Sequence, residues 1–226
     1  KFARDRQTYT ELLREMLRRF KVDLLNYTIT SNHVHLLFWV RKASELPRAM
    51  QFVQGEFGQY YNKRKSREGS FWRDRYHSTL IESGDHLARC LFYIDLNMVR
   101  AGVANHPDQW RHGGHHELSG SRQRYRLLNL PRLTRCLGHV DEDLDAFRQW
   151  YLATLSEKLA IGRMVREPYW SEAFAVGNRD WLSDIYRRFG FKRKKILAAA
   201  QATAYDTEES MNWDLADASE IYYIDG

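Results

Sequence analysis

The sequence predicts an α+β fold, an antiparallel sheet with helices packed on it, from the order of its elements. Two strand-like runs, over 22–30 and 33–40, are separated by the turn signal Ser31-Asn32. Stretches of helical periodicity over 7–20, 44–63 and 83–101 surround them, with a third strand-like run over 75–82. The order is therefore helix, strand, strand, helix, strand, helix.

Each element has a local reason. Tyr9, Leu12, Leu13, Met16, Leu17 and Phe20 recur at helical spacing. In the second strand Val34, Leu36, Phe38 and Val40 share one face, and His33, His35, Leu37 and Trp39 the other. The short separation from the first strand predicts an antiparallel hairpin. Ser44 is expected to N-cap the next helix, whose apolar stripe is Leu46, Met50, Val53, Phe57 and Tyr60. A basic loop follows from Lys63 to Gly69. Ser83 or Asp85 is expected to cap the third helix, and Gly102 to close it. The texture changes after His116: residues 119–126 are polar and basic, and helices are expected near 141–159 and 179–189. The expected organisation is a domain over 1–118, a linker or basic loop over 119–139, a helical accessory region over 140–205 and an acidic tail over 206–226.

Composition narrows the function. With 43% hydrophobic and 28% charged residues in 226, the chain can build a core, and disorder is not the default. No apolar run is long enough to cross a bilayer, and no signal-peptide pattern opens the sequence. Two cysteines, Cys90 and Cys136, make neither a disulfide framework nor a cysteine zinc site, which points to a reducing, cytoplasmic compartment. The net charge is +6, unevenly spread. Residues 206–226 hold seven acidic residues and no Lys or Arg, so the first 205 carry +13. A basic body with 14% aromatics suits a polyanion, nucleic acid above all.

Two places could carry chemistry. His33 and His35, at i and i+2 on a strand, point the same way and could reach one metal; a metal-free histidine pair on a half-exposed face is the simpler reading. On the third helix His86, Arg89, Tyr93, Asn97 and Arg100 fall on one polar stripe, and Leu87, Leu91, Ile94, Met98 and Ala101 on an apolar one. Tyr93 and Asn97, one turn apart, are neighbours. A tyrosine hydroxyl can act as nucleophile, and an Asn amide oxygen can join two histidines on a metal. Taken alone, a solvated helix face explains this stripe as well.

Three ordered blocks resolve the ambiguity: Tyr27 to Leu37 (YTITSNHVHLL), Phe71 to Tyr76 (FWRDRY) and Tyr93 to Gly102 (YIDLNMVRAG). Over about residues 6–117 they closely resemble the single-tyrosine HUH transposases, and within them the REP-associated tyrosine transposases. The resemblance implies a ferredoxin-like antiparallel sheet with helices on it. It implies that His33, His35 and Asn97 bind a divalent metal, Mg²⁺ or Mn²⁺, and that Tyr93 attacks single-stranded DNA to form a 5′-phosphotyrosine and a free 3′-OH. The implied partner is single-stranded hairpin DNA of the repetitive-palindrome type; a homodimer and a monomer both stay open. The chain departs from the family in two ways. Met98 stands where members usually carry proline, so a straighter helix is expected. The family's sheet opens with a strand ahead of the first helix, and with Lys1 just ahead of that helix the sheet is expected to be one strand short.

Other residues compete for these roles. Tyr76 is the rival nucleophile, read as structural or DNA-contacting. His112, His115, His116 and Glu117 resemble a metal cluster, but Gly113-Gly114 makes a flexible loop the expectation. Cys90 is expected in the core. Lys63, Arg64, Lys65, Arg67, Trp72, Arg73, Arg75, Arg100, Arg122 and Arg124 are the candidate DNA contacts, combining charge with stacking planes. Lys192 to Lys195 forms a second basic patch. The expected function is a metal-dependent strand transferase acting on hairpin DNA. A catalytically silent hairpin-binding protein and a zinc-dependent phosphodiesterase with a water nucleophile are the alternatives.

Overall fold

Strands β1 (Val22–Ile29) and β2 (Val34–Val40) form the expected antiparallel hairpin, with Thr28 opposite His35. The computed structural model describes residues 3–122, 124–138, 143–162, 165–190 and 220–225. Thr30 holds the hairpin turn. Its hydroxyl donates to the His33 carbonyl (2.7 Å) and accepts from the His33 N–H (3.1 Å), which fixes the backbone of the first histidine.

Helix α1 (Ala3–Arg19) precedes the hairpin and α2 (Glu45–Lys65) follows it. Ser44 stands at the N-cap of α2 but makes no side-chain capping bond. Then come β3 (His77–Ile81), α3 (Asp85–Asp95) and a short α4 (Asn97–Arg100). Neither Ser83 nor Asp85 caps α3. The cap is Gly84 at φ 76, a backbone conformation that favours glycine. A 3₁₀ turn (Pro107–Gln109), α5 (His115–Leu118), α6 (Leu130–Cys136), α7 (Leu144–Ile161), α8 (Tyr169–Glu172), β4 (Ala175–Val176), α9 (Arg179–Arg188) and β5 (Glu220–Asp225) complete the described chain.

The fold is α+β, with one five-stranded sheet in the order β1-β2-β5-β3-β4. The sheet is not built from residues 1–118 alone. Strand β5, drawn from the segment read as an acidic tail, lies between β2 and β3 and is antiparallel to both. Its Ile-Tyr-Tyr-Ile run supplies the β-forming residues that its acidic neighbours mask. The remainder of that segment, 206–219, and the 192–195 patch lie outside the described residues. Nor is the sheet wholly antiparallel, since β4 pairs with β3 in parallel.

Helices cover both faces, so every residue of β2 is buried. Helix α3 packs on the face that carries Thr28 and His35. Helices α1 and α2 pack together on the other. The main core joins Leu13, Leu36, Phe38 and Phe57 to Leu91 and Leu133, and then to Phe147, Tyr151 and Trp170. Segments read as linker and accessory region thus share one core with the sheet. Leu128 bridges to Leu24, and the Asn129 N–H donates to the Leu24 carbonyl (2.9 Å). Hydrophobic residues at 127, 128, 130 and 133 explain why the end of the basic stretch folds inward.

Two further expectations change. The loop expected around Gly113-Gly114 turns inward as α5. The Gly114 N–H donates to the Tyr27 carbonyl (2.9 Å), and a Cβ there would lie 2.1 Å from the Asn26 Oδ1. Only glycine allows that approach. The helix expected over 83–101 is interrupted at Leu96, where φ is −80 and ψ 2. The Tyr93 carbonyl accepts from Arg100 (3.3 and 3.4 Å), and the Ile94 carbonyl from the Thr28 hydroxyl (3.1 Å). Side chains inserted into the helix ladder interrupt it without proline.

Candidate active site

Helix α3 is anchored to the sheet from below. At an irregularity in β1, the Asn26 amide donates to the Leu91 carbonyl (3.2 Å) and to the Asp95 carboxylate (3.0 Å). The Tyr151 hydroxyl donates to the other Asp95 oxygen (2.8 Å), and the His115 Nδ1 lies 2.8 Å from that hydroxyl. Strand β1, α3, α5 and α7 therefore meet at one buried carboxyl. Burial raises the Asp95 pKa to about 7, although the bonds from Asn26 and Tyr151 pull it down. His115 is held neutral, its pKa lowered to about 4 by burial and by the nearby His106 and His116.

This anchoring sets the stripe read from the sequence. His35 is buried, and its Nε2 lies 2.7 Å from the Asn97 side-chain nitrogen. Burial, then His33 and Arg100, lower its pKa well below the ordinary value, so the imidazole is neutral with a lone pair to offer. His33 is half-buried at the strand end, its ring 4.6 Å from that of His35 and nearly perpendicular to it. Its Nδ1 contacts the Asn32 Oδ1 (3.0 Å). Tyr93 is half-buried, with its ring 6.3 Å from His35 and 5.9 Å from Trp170. The Arg100 guanidinium lies over the Tyr93 ring at 3.9 Å, a cation–π contact.

The face is not solvated. His86 is buried beside Glu82 (3.6 Å), and Arg89 donates to the Tyr169 hydroxyl (3.2 Å). Elements beyond residue 165 cover that end of the stripe. The part around Tyr93, Asn97 and Arg100 joins the two histidines.

Among the described residues no cluster of three His, Cys, Asp or Glu side chains could hold a metal. The candidate donor set is two imidazoles and an amide. His33 and His35 can each keep a lone pair on Nε2 when Nδ1 carries the proton. Turning the Asn97 amide about its last torsion would put Oδ1 where the nitrogen stands, and only the hydrogen-bond pattern distinguishes the two at ordinary precision. Two imidazoles and an amide oxygen are donors that a divalent ion could take, with further positions open.

The competing residues take structural places. Tyr76 packs half-buried against the main core, where burial raises its pKa. Glu117 is buried and accepts from the N–H groups of Leu127 and Leu128 (2.8 and 2.9 Å), which ties α5 to the following segment. Cys90 and Cys136 are buried.

The basic candidates separate into groups. Lys63, Arg64 and Lys65 end α2, but Arg64 pairs with Asp5 on α1 (2.7 Å) and lies over the Tyr61 ring. Arg67 is exposed and donates to the Ser70 carbonyl (3.2 Å). Arg73 and Arg75 are exposed, Arg73 beside Asp74 (3.7 Å). The Trp72 indole N–H donates to the Gln54 carbonyl (2.9 Å), and its ring joins Tyr9, Tyr61, Phe71 and His33 in lining a groove beside the histidine pair. A separate cleft gathers Arg14, Arg111, Arg122 and Arg124 around His112, with exposed Tyr125 at its rim. Burial first, then Arg6, Arg111 and Arg122, lower the His112 pKa to about 4.

The α+β fold thus sets a half-buried tyrosine beside two strand histidines and an amide. Residues 2–97 match the family model of IS200-like transposases. The matched segment runs from the start of α1 to Asn97 and so contains His33, His35, Tyr93 and Asn97. It stops short of the 6–117 span of the sequence resemblance and does not distinguish the REP-associated branch. No curated protein and no solved structure matches the chain.

Sequence reasoning missed one residue at this site. Tyr223 of β5 contacts the His35 Nδ1 through its hydroxyl, with the two rings nearly parallel and 5.6 Å apart. Its ring is also 6.3 Å from that of Tyr93. The alternation of Ile221 and Tyr223 against Tyr222 and Ile224 was the available signal.

Proposed function

We propose that this protein is a metal-dependent endonuclease and strand transferase for single-stranded DNA, with Tyr93 as nucleophile. The observation that supports it is the convergence of Tyr93, His35 and Asn97 at the interruption between α3 and α4, within the segment similar to transposases. The Tyr93 Oη attacks a backbone phosphorus, and the P–O3′ bond breaks. The phosphate stays on Tyr93 through its 5′ side, and the other fragment leaves with a 3′-OH. The proton lost by the phenol balances the one gained by O3′. In the reverse step a 3′-OH attacks the linkage and the P–Oη bond breaks, so strands rejoin without external energy.

His33, His35 and Asn97 would hold Mg²⁺ or Mn²⁺, whose charge would polarise a non-bridging phosphate oxygen. Arg100 adds a fixed cation over the tyrosine ring. The aromatic groove beside His33 offers stacking planes to unpaired bases, and the cleft of Arg122 and Arg124 offers contacts to backbone phosphates. The substrate in this reading is a hairpin with a single-stranded foot, of the palindromic-repeat type.

The test is to incubate the protein with end-labelled hairpin DNA and Mg²⁺ and to separate the products under denaturing conditions. A slow-migrating covalent adduct that vanishes with chelator is expected. Cleavage without adduct would indicate a water nucleophile, and binding without cleavage a silent hairpin-binding protein. Either result overturns the proposal.

A further inference from the structure

We infer that Tyr223 of β5 is a positioning residue for His35, fixing the tautomer and ring orientation that leave Nε2 available as a metal ligand. The inference rests on the metal-binding reading of His33, His35 and Asn97.

The sheet register brings the pair together. Tyr223 stands opposite Leu37 on β2 and Thr79 on β3, and Leu37 lies two residues beyond His35. Directly opposed residues of a sheet share a face, and side chains two apart share it too. Tyr223 therefore reaches His35 diagonally, on the face where α3 packs. The site for that contact exists because β5 occupies the middle of the sheet. Tyr223 is fully buried, so its hydroxyl has no access to bulk water as an alternative partner.

The two nitrogens of His35 have different neighbours. Nδ1 meets the Tyr223 hydroxyl and Nε2 meets the Asn97 amide. With the Asn97 nitrogen toward Nε2, its N–H needs a lone pair there; the matching tautomer, which we assign to His35, carries the proton on Nδ1 and donates it to the Tyr223 oxygen. That tautomer is the one a metal ligand needs. Metal-binding histidines generally donate their second N–H to an oxygen, and loss of that partner costs about 10–100-fold in metal affinity or activity. Tyr223 supplies the oxygen from a segment some 190 residues away along the chain.

The experiment compares wild type, Tyr223→Phe, Tyr222→Phe and His35→Ala, all full length and without DNA. Tyr222 lies on the same strand and faces the other way, so Tyr222→Phe controls for damage to β5. Mn²⁺ uptake is read by electron paramagnetic resonance, the His35 tautomer by long-range proton–nitrogen NMR, and folding by thermal melting. The expected result is an Nδ1–H tautomer in wild type and about 10–100-fold weaker Mn²⁺ binding in Tyr223→Phe. Melting of Tyr223→Phe should stay near wild type, and Tyr222→Phe should bind Mn²⁺ normally. Wild-type Mn²⁺ affinity and an unchanged tautomer in Tyr223→Phe would overturn the inference. If wild type binds no Mn²⁺, the metal reading falls, and the tautomer spectra still decide the role of Tyr223. An Nε2–H tautomer in wild type overturns it, whether or not Tyr223→Phe folds.

Discussion

His35 and Asn97 show how much of the account rests on single side chains. Loss of either imidazole should remove a ligand that water replaces poorly. His33→Ala and His35→Ala are each expected to slow adduct formation about 10²–10³-fold at saturating DNA. Asn97→Ala should cost about tenfold, because water can stand in for a neutral amide oxygen. Single-turnover rates over a Mg²⁺ series test the ranking, and equal losses at all three positions would contradict it. Asp95 makes a different prediction. Its carboxyl titrates at about 7 when folded and near 3.8 when unfolded. The folded state thus holds the proton more tightly, so its stabilising effect is complete below the unfolded value. It is lost as pH rises from about 4 through 7. Asp95→Asn can keep the contacts with Asn26 and Tyr151 without titrating. Melting temperatures from pH 5 to 8 should fall less steeply for Asp95→Asn than for wild type.

Strand β5 changes what its segment is expected to do. A mere acidic tail could be deleted with unchanged DNA binding. A chain ended at residue 219 instead loses the strand between β2 and β3, together with Tyr223. Its melting temperature should drop and its Mn²⁺ uptake vanish; a stable, metal-binding truncated protein would show that β5 is dispensable. Helix α5 depends on a close approach, and Gly114→Ala should destabilise by about 1–3 kcal/mol as the new Cβ displaces Asn26. Denaturant melts measure that cost. The hairpin, α2 and the stripe of Tyr93, Asn97 and Arg100 were legible because local alternation and helical periodicity encode them. The position of β5 was not, because sheet pairing across 180 residues leaves no local pattern beyond a short β-prone run. The interruption at Leu96 was hidden for a related reason. It depends on Thr28 and Arg100 reaching carbonyls that sequence spacing cannot connect to them.

The described residues join one sheet, a main core and a smaller cluster around Leu80, Leu182 and Tyr186. Residues 1–205 carry +13, and the arginine cleft and the aromatic groove are distinct features of the surface. Hairpin DNA with a single-stranded foot should therefore bind better than blunt duplex of the same sequence, and binding should weaken as salt rises. Arg124→Ala should lower affinity across all sequences and reduce the salt slope by about 1, as expected for a phosphate contact. Fluorescence anisotropy at several salt concentrations checks both, and equal affinity for blunt duplex would count against single-strand recognition. The central claim is that Tyr93 becomes covalently joined to DNA. The most direct measurement is to trap the adduct with hairpin DNA and Mg²⁺, digest protein and DNA, and locate the nucleotide-bearing peptide by mass spectrometry. The account predicts a 5′-phosphate linkage on Tyr93 in wild type and no adduct in Tyr93→Phe, with hairpin binding retained. A linkage on Tyr76, or an adduct that persists in Tyr93→Phe, would contradict it.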